Sequence, residues 1–154
     1  MKPSTTPSAS ERFIEQMGLI SQADGSPRIA GRIFGLLLIE GRPLPLHDIA
    51  NRLQISKASA STNARLLASR DIVRLTSQAG DRQDYYELVP TGQLHFLEAI
   101  ASRLQKNATM VAACVEEVAA ESAAAGSRIH QLAEFYGRSA EFVAAWSRQN
   151  EPVS

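Results

Sequence analysis

The stretch from Leu46 to Leu88 constrains the fold more than any other part of the chain. Two short segments with apolar residues at helical spacing are separated by a three-residue turn. Two segments in which apolar and polar residues alternate, as in β-strands, follow them. In order, these segments are Leu46–Leu53, Gln54–Ser56, Lys57–Arg70, Ile72–Ser77 and Tyr85–Val89. A turn-forming Gly80-Asp81 lies between the two alternating segments, so they are predicted to form a β-hairpin with a charged tip.

This order of elements predicts a mainly α fold, an α+β winged helix-turn-helix with a two-stranded wing, flanked by N- and C-terminal dimerisation helices. The length of 154 residues suits one compact domain with helical extensions. The predicted parts are a disordered tail at 1–9, an N-terminal dimerisation helix and loop at 10–26, the winged helix-turn-helix DNA-binding domain at 27–92 and a C-terminal helical dimerisation region at 93–150.

Two helices are predicted before the central motif. The first runs from about Ser10 to Ile20, with an apolar side that includes Phe13, Ile14 and Met17. For the second, Ser26 is predicted to cap a helix that begins near Pro27 and ends by about Glu40, where Gly41 follows. Gly31 and Gly35 lie four residues apart in this helix, which leaves room for another helix to approach closely.

Two further helices are predicted after the hairpin. One long helix from Thr91-Gly92 to about Ala124 is indicated by apolar residues that recur every seven positions, and Gly126 is expected to end it. A last helix from about Ser127 to Arg148 carries a broad apolar side. The residues on which these two predictions depend are Leu97, Leu104, Val111 and Val118 in the first helix, and Ile129, Leu132, Tyr136, Val143 and Trp146 in the second.

The charges are unevenly distributed although the net charge is zero. Nine Lys or Arg residues stand against four acids from Arg28 to Arg82, whereas five stand against seven from Gln93 to Ser154. The middle of the chain is therefore basic, as a nucleic-acid partner requires. No apolar run is long enough to span a membrane, and the N-terminus lacks the apolar core of a secretory signal, so a soluble, cytoplasmic protein is expected.

The helix from Lys57 to Arg70 carries the candidate DNA-binding residues. Small polar side chains that reach base edges, together with cations that neutralise phosphates, are what a major-groove helix needs. Its amino end at Ser56 also offers free backbone amides to a phosphate. Arg82 at the hairpin tip is predicted to enter a minor groove, and Arg28 and Arg32 are weaker phosphate candidates. The predicted contacts on the helix are Ser56, Lys57, Ser59, Ser61, Thr62, Asn63 and Arg65.

Plainer interpretations stand beside these predictions. A polar, basic helix face is often only solvated, and aromatic residues such as Phe135 and Trp146 suit helix packing better than a cage for a cationic ligand. Cys114 would be either a redox sensor or a small buried core residue, and its place between Val111 and Val118 favours burial. A lone cysteine, scattered histidines and no phosphate-binding loop predict no enzyme, no metal and no cofactor.

Three blocks of the sequence together resemble the GbsR branch of the MarR-like bacterial transcription regulators. They are GSPRIAGRIFGLLL, PLPLHDIANRLQISKASASTNARLLASRDIVR and GDRQDYYEL, within roughly Glu11 to Gln93. The resemblance implies a homodimer of winged helix-turn-helix subunits that places the helix from Lys57 in the major groove and the Arg82 wing beside it. Terminal helices interlock the two subunits in such regulators.

The chain departs from that family at two positions. The wing reads Asp81-Arg82-Gln83 where Asp-x-Arg is common, and Pro45 stands where a helix-capping Ser or Thr is common. The function expected is that of a homodimeric, sequence-specific transcription regulator on pseudo-palindromic double-stranded DNA. The alternative is a winged-helix protein–protein interaction module without DNA binding. No residue pattern identifies an effector, so regulation by a small molecule stays open.

Overall fold

The structure is a computed structural model that describes residues 6–150, and it contains two compact units that divide after Gly92. The first unit consists of four helices and a small antiparallel sheet, and the second consists of helices. The predicted class, mainly helical with a winged helix-turn-helix, is confirmed. The elements of the first unit are α1 (Ala9–Ala23), α2 (Arg28–Glu40), β1 (Leu44–Pro45), α3 (Leu46–Leu53), α4 (Lys57–Ser69), β2 (Val73–Thr76) and β3 (Tyr85–Leu88).

Large aliphatic side chains form the core of the first unit. Helix α2 contributes most of them and is buried on nearly every side except at Leu38 and Ile39, so it is the central helix around which α1, α3 and α4 are arranged. Burying such side chains is the main source of stability in a domain of this size. The fully buried members of this core are Ile33, Leu36, Leu37, Leu44, Ile49, Ile72 and Val73.

The helix ends show which capping predictions hold. The predicted Ser26 cap is wrong: Pro27 is the N-cap residue of α2, and it makes no side-chain capping bond. The Ser26 hydroxyl instead accepts a hydrogen bond from Arg70 at 2.8 Å. Gly41 ends α2 in the left-handed conformation, with φ of 63°, as a glycine at that position favours.

Ordered structure begins earlier than the sequence predicted. Ser8 caps α1 through a reciprocal pair of bonds with Glu11, so the end of the predicted disordered tail at 1–9 is part of a helix start. Residues 1–5 of that tail lie outside the described residues. On the apolar side predicted for α1, Ile14 is buried and Met17 is half-buried within the chain, whereas Phe13 is exposed.

The sheet has three strands in the order β1-β3-β2, and all its pairs are antiparallel. Strands β2 and β3 form the predicted hairpin, with Val73 opposite Leu88 and Thr76 opposite Tyr85. The prediction of a two-stranded sheet was incomplete, because Leu44 and Pro45 pair with Tyr86 and Tyr85 on the other edge of β3. This short strand anchors the hairpin directly before α3.

Helices α1 and α2 approach closely at glycines, as predicted from their spacing. A Cβ atom at Gly31 would collide with the Met17 carbonyl oxygen and would lie 2.5 Å from Ser21 Cβ. At Gly35 a Cβ atom would meet Met17 Cβ at 3.2 Å. Position 31 therefore requires glycine if α1 is to pack against α2 at this distance, whereas a side chain at Gly35 would require a small shift of Met17.

The second unit contains α5 (Gly92–Ala112), α6 (Val115–Glu121) and α7 (Ala123–Gln149). The predicted single helix to about Ala124 is wrong, because it is interrupted at Ala113-Cys114 and again at Ser122, which caps α7 through Ala125 N. Gly126 does not end a helix. It lies buried within α7, where a Cβ atom would be 2.5 Å from Ala119 Cβ, so glycine lets α6 and α7 meet.

Buried positions recur at intervals of seven in the second unit and most of them hold small residues, whereas several large apolar residues of α7 are exposed. Buried positions recur along α5 at Leu94, Ala101 and Ala108 and along α7 at Gly126, Ala133, Ala140 and Ser147. Cys114 is exposed at the α5–α6 junction, which overturns the prediction that it is a buried core residue. No helix within residues 6–150 is both long and apolar enough to cross a membrane.

Candidate nucleic-acid interface

The turn between α3 and α4 sets the start of the candidate DNA-binding helix. Gln54 takes the left-handed conformation, with φ of 55°, and reverses the chain at the end of α3. The Ser56 hydroxyl then accepts the Ser59 backbone N–H at 3.0 Å, which confirms Ser56 as the N-cap. Ile55, between Gln54 and Ser56 in this turn, is half-buried.

The outer surface of α4 carries the predicted mixture of cations and hydroxyls. Lys57, Thr62 and Arg65 are exposed, and Ser59 and Ser61 are half-buried beside them. We call these five residues the α4 face. The opposite side of the helix, with Ala60, Ala64 and Leu67, is buried against the rest of the unit. A small polar surface next to rigid packing is suited to entering a groove of DNA.

Asn63 does not belong to the α4 face, although the sequence analysis included it. Its side chain is 8% exposed, and its amide nitrogen donates to the Ser59 carbonyl oxygen at 2.9 Å. Residues three or four positions apart lie on the same side of a helix. Asn63 is three residues after Ala60 and four before Leu67, so it lies on their buried side. The prediction that Asn63 is displayed to DNA is therefore wrong for this conformation.

The tip of the wing is held by Asp81. Its carboxylate accepts the Gln83 backbone N–H at 2.9 Å and the Tyr85 hydroxyl at 2.6 Å, while Gly80 turns the chain with φ of 82°. The bond from the Tyr85 hydroxyl, followed by that from Gln83, lowers the pKa of Asp81, and the same bond raises the pKa of Tyr85. Arg82 is exposed at this braced tip, where it was predicted to lie.

A groove of about 400 Å³ lies between the beginning of α3, the α4 face and the wing. The sequence analysis missed several of its lining residues, because they come from elements that are distant in sequence. Tyr86 is the buried floor residue, and burial, followed by the charge of Asp84, raises the pKa of its hydroxyl. The lining residues are Leu46, His47, Lys57, Ser61, Arg65, Leu75, Gln83, Asp84 and Tyr86.

Arg28 and Arg32 are engaged within the protein rather than displayed beside α4. Glu15 of α1 pairs with both of them, at 2.7 Å to Arg28 Nη2 and 2.7 Å to Arg32 Nε. Arg32 also donates to the Leu53 carbonyl oxygen at 2.9 Å, which ties α2 to the end of α3. The hydrogen bond from Arg28, with the charges of both arginines, lowers the pKa of Glu15. We call Glu15, Arg28 and Arg32 the Glu15 junction.

The cations near α4 differ from those elsewhere on the first unit. Arg42 and Arg52 pair with Glu40, and Arg74 pairs with Glu87. Within residues 6–150, however, Lys57, Arg65 and Arg82 form no ion pair with a carboxylate. Arg12 and Arg70 also lack a carboxylate partner among the described residues, but they donate hydrogen bonds to the Pro7 carbonyl oxygen and the Ser26 hydroxyl. The cations of the α4 face and the wing tip are thus placed where a phosphate backbone would neutralise them.

The histidines make separate local contacts. His47 lies 3.0 Å from Asn51, His95 lies 2.8 Å from Glu98 and His130 lies 3.7 Å from Glu134. No group of three or more His, Cys, Asp or Glu side chains suited to a metal ion occurs in the part of the chain that the structure describes.

Residues 25–84 of this chain match the MarR family. The HTH-type transcriptional regulator MmpR5 of Mycobacterium tuberculosis is 35% identical over 79 residues, which are 51% of this chain and 48% of that protein. The putative HTH-type transcriptional regulator YvaV of Bacillus subtilis is 28% identical over 80 residues, 52% of this chain and 45% of that protein. The chain thus spans about half the length of the curated relatives it matches.

A solved structure supports the fold over nearly the whole chain. The crystal structure of a transcriptional regulator covers 92% of this chain and 99% of its own, with a TM-score of 0.63 and 24% identity. The solved structure supports a winged helix-turn-helix fold, and the family match over residues 25–84 is to the MarR type. The curated relatives are named as transcriptional regulators. The narrower GbsR affiliation and the individual DNA contacts stay predictions.

Proposed function

Because residues 25–84 are a MarR-family winged helix-turn-helix, we propose that the protein regulates transcription by binding specific operator DNA as a homodimer. The observation that carries this proposal is the placement of Lys57, Arg65 and Arg82. These three cations lie on the α4 face and the wing tip without carboxylate partners among the described residues. Five other arginines of the same unit are paired with carboxylates, and Arg12 and Arg70 donate hydrogen bonds to neutral oxygens. Unpaired cations on a convex helix and a projecting hairpin are suited to two adjacent grooves of duplex DNA.

Each part of this surface has a separate role in the proposal. Helix α4 enters the major groove, where Lys57 and Arg65 neutralise phosphates and Ser61 and Thr62 reach phosphate oxygens or base edges. The free amides at Ser56 face the backbone at the helix start. Arg82 enters the neighbouring minor groove, where a narrow A·T-rich tract attracts a guanidinium group. The Asp81 hydrogen bonds support this role because they fix the tip from which Arg82 projects.

Exposed apolar side chains support the homodimer. On α1 they are Phe13, Leu19 and Ile20, and on α7 they are Leu132, Phe135, Phe142 and Trp146. Large apolar groups in such numbers on terminal helices are typical of a protein–protein interface. We assign residues 10–26 and 93–150 to dimerisation on this basis. A two-fold dimer requires a pseudo-palindromic operator whose half-sites are about one helical turn, roughly 34 Å, apart.

The GbsR affiliation is part of the proposal, and it rests on the three sequence blocks that surround Gly31, Ser56 and Arg82. A small-molecule effector is compatible with the proposed role but is assigned to no residue. A DNA target also implies a location in the bacterial cytoplasm.

Selection of duplexes from a randomised pool by the full-length protein tests the proposal. We expect enrichment of a pseudo-palindromic sequence, and light scattering should give two chains per selected duplex. Failure to enrich any sequence, together with the absence of salt-sensitive binding to duplex DNA, would contradict it. A pull-down that recovers an acidic protein and no nucleic acid would favour the alternative, a winged-helix protein–protein interaction module.

A further inference from the structure

His47 lies in the groove that separates the α4 face from the wing. It is the second residue of α3, and it lines the groove together with Lys57, Ser61 and Arg65, which are three of the proposed DNA contacts. Sequence reasoning treated this histidine as an ordinary surface residue. Its position instead brings a titratable ring to the surface that the DNA backbone would cross.

The hydrogen bonding of His47 is compatible with both its neutral and its charged form. Its Nε2 atom lies 3.0 Å from Asn51 Nδ2, one turn further along α3. An amide nitrogen donates to the neutral ring, and a rotated amide would present its oxygen to the charged ring. Asn51 is the only hydrogen-bonding partner of His47 within residues 6–150, so the rest of the ring has no competing protein contact.

The charged groups around His47 link its protonation to DNA binding. Lys57 and Arg65 of α4 and Asp84 of the wing line the same groove as His47. The Tyr86 hydroxyl, also in the groove, is neutral near pH 7, and burial raises its pKa further above the ordinary value of 10.0. A phosphate bound at Lys57 and Arg65 would also lie close to the His47 ring, where it would favour the charged ring, so binding of DNA and uptake of a proton should reinforce each other.

We propose that His47 is a DNA-backbone contact recruited by protonation, so that affinity for operator DNA rises as the pH falls through the range in which histidine titrates. The inference rests on the proposed DNA-binding function and adds a pH-dependent contact to the same surface. Histidine is suited to this role because its charge changes between about pH 5 and pH 8. A regulator with this contact occupies its operator more fully in mildly acidic conditions.

Fluorescence anisotropy titrations of the selected operator at about pH 6 and about pH 8, each over a range of salt concentrations, test the inference. Each gained phosphate contact should steepen the dependence of log affinity on log salt by about 0.9 per subunit. At a fixed salt concentration near 0.1 M, affinity should rise by about eightfold per subunit, and so by up to about sixtyfold for a dimer, between the two pH values.

The His47→Gln variant keeps a polar partner for Asn51 but cannot gain charge, so its salt dependence at the lower pH should match that at the higher pH. His95→Gln and His130→Gln are matched controls, since these histidines lie in the second unit beside Glu98 and Glu134. Both controls should retain the pH effect of the unaltered protein. Equal thermal unfolding of the three variants would show that each is folded.

Two results would overturn the inference, and only one of them would also contradict the proposed DNA-binding function. Salt-sensitive DNA binding with the same slope at both pH values, or a pH effect that persists in His47→Gln, would remove His47 from the interface and leave the proposed function intact. No salt-sensitive binding to duplex DNA at either pH would contradict the proposed function itself, and the His47 contact with it.

Discussion

The Glu15 junction and the α4 face both place arginines at the surface of the first unit, but only one of the two regions holds them in protein contacts. At the junction, Glu15 binds Arg28 and Arg32 at 2.7 Å, and Arg32 also donates to the end of α3. On the α4 face, Lys57 and Arg65 have no carboxylate partner among residues 6–150. We infer from the comparison that the pairing of a cation, rather than its presence, distinguishes the structural arginines from the cations that we propose to bind DNA.

The largest effect is expected where α1 packs against α2 beside the Glu15 junction. Gly31→Val would force side-chain carbon into the Met17 carbonyl, and we expect the free energy of unfolding to fall by about 3 kcal/mol, as for severe overpacking. Urea unfolding measures it. Gly137→Ala is the control, because a Cβ atom there meets only Ala108 at 3.9 Å, and this variant should gain up to about 1 kcal/mol. An unchanged urea midpoint for Gly31→Val would mean that the close contact is not required.

The next effect distinguishes the two regions by their contribution to DNA binding. Replacing Lys57 and Arg65 together by Ala should remove two phosphate contacts per subunit and reduce the salt slope by about 1.8 per subunit. Arg28→Ala is the matched control, since it removes an exposed cation that is paired with Glu15. Its salt slope should stay unchanged. If Arg28→Ala reduced the slope as much as the double variant, paired and unpaired cations would be equivalent and the comparison would fail.

A smaller effect is expected at the wing. Arg82→Ala should weaken operator binding by about 1 kcal/mol and reduce the preference for A·T-rich flanking sequence. The neighbouring Gln83→Ala keeps the backbone N–H that Asp81 accepts, so it should bind almost as well as the unaltered protein. Competition titrations with A·T-flanked and G·C-flanked duplexes measure both variants. If Gln83→Ala lost affinity and Arg82→Ala did not, the wing contact would belong to Gln83 and not to Arg82.

The smallest effect is the acid sensitivity of the Glu15 junction. Because the pKa of folded Glu15 lies below its ordinary value of 4.5, its ion pairs stabilise the fold at higher pH and are lost as the pH falls through the lowered value. The contribution is less than about 1 kcal/mol because the pair is partly exposed to solvent. Thermal unfolding of Glu15→Gln should therefore differ from that of the unaltered protein at neutral pH and converge with it in acid. A constant difference at every pH would contradict this assignment.

The sequence predicted the first unit more completely than the second, and the reason is periodicity. In helices α2 to α4 and in the β2–β3 hairpin, apolar residues recur with the period of a helix or of a strand, and this pattern can be read directly from the sequence. Strand β1 has two residues, one of them Pro45, and it exists only through pairing with β3 some forty residues later. A strand of this kind has no local period, so only the three-dimensional structure reveals it.

In the second unit, a glycine and a seven-residue repeat in the sequence led to wrong predictions. Gly126 was expected to end a helix, but its lack of a side chain allows α7 to contact Ala119 of α6, and this tertiary contact outweighs its weak helix propensity. The break at Ala113 rotates the following residues relative to α5, so the seven-residue repeat that placed Cys114 in a core does not continue through it.

The candidate site was predicted in part for the same physical reasons. The α4 face followed from composition, and the helical period could have excluded Asn63. The pairing of Arg28 and Arg32 could not be predicted, because Glu15 lies on another helix more than ten residues away. His47 was missed because its proximity to Arg65 depends on how α3, α4 and the wing come together.

Amide hydrogen exchange with and without the selected operator duplex tests the central claim most directly. The account predicts slower exchange in peptides that cover residues 57–65 and 80–84 when DNA is bound, and no change in peptides that cover residues 28–32. Protection of residues 28–32, with residues 57–65 unaffected, would contradict it, because DNA would then contact the paired cations and leave the unpaired ones in solvent.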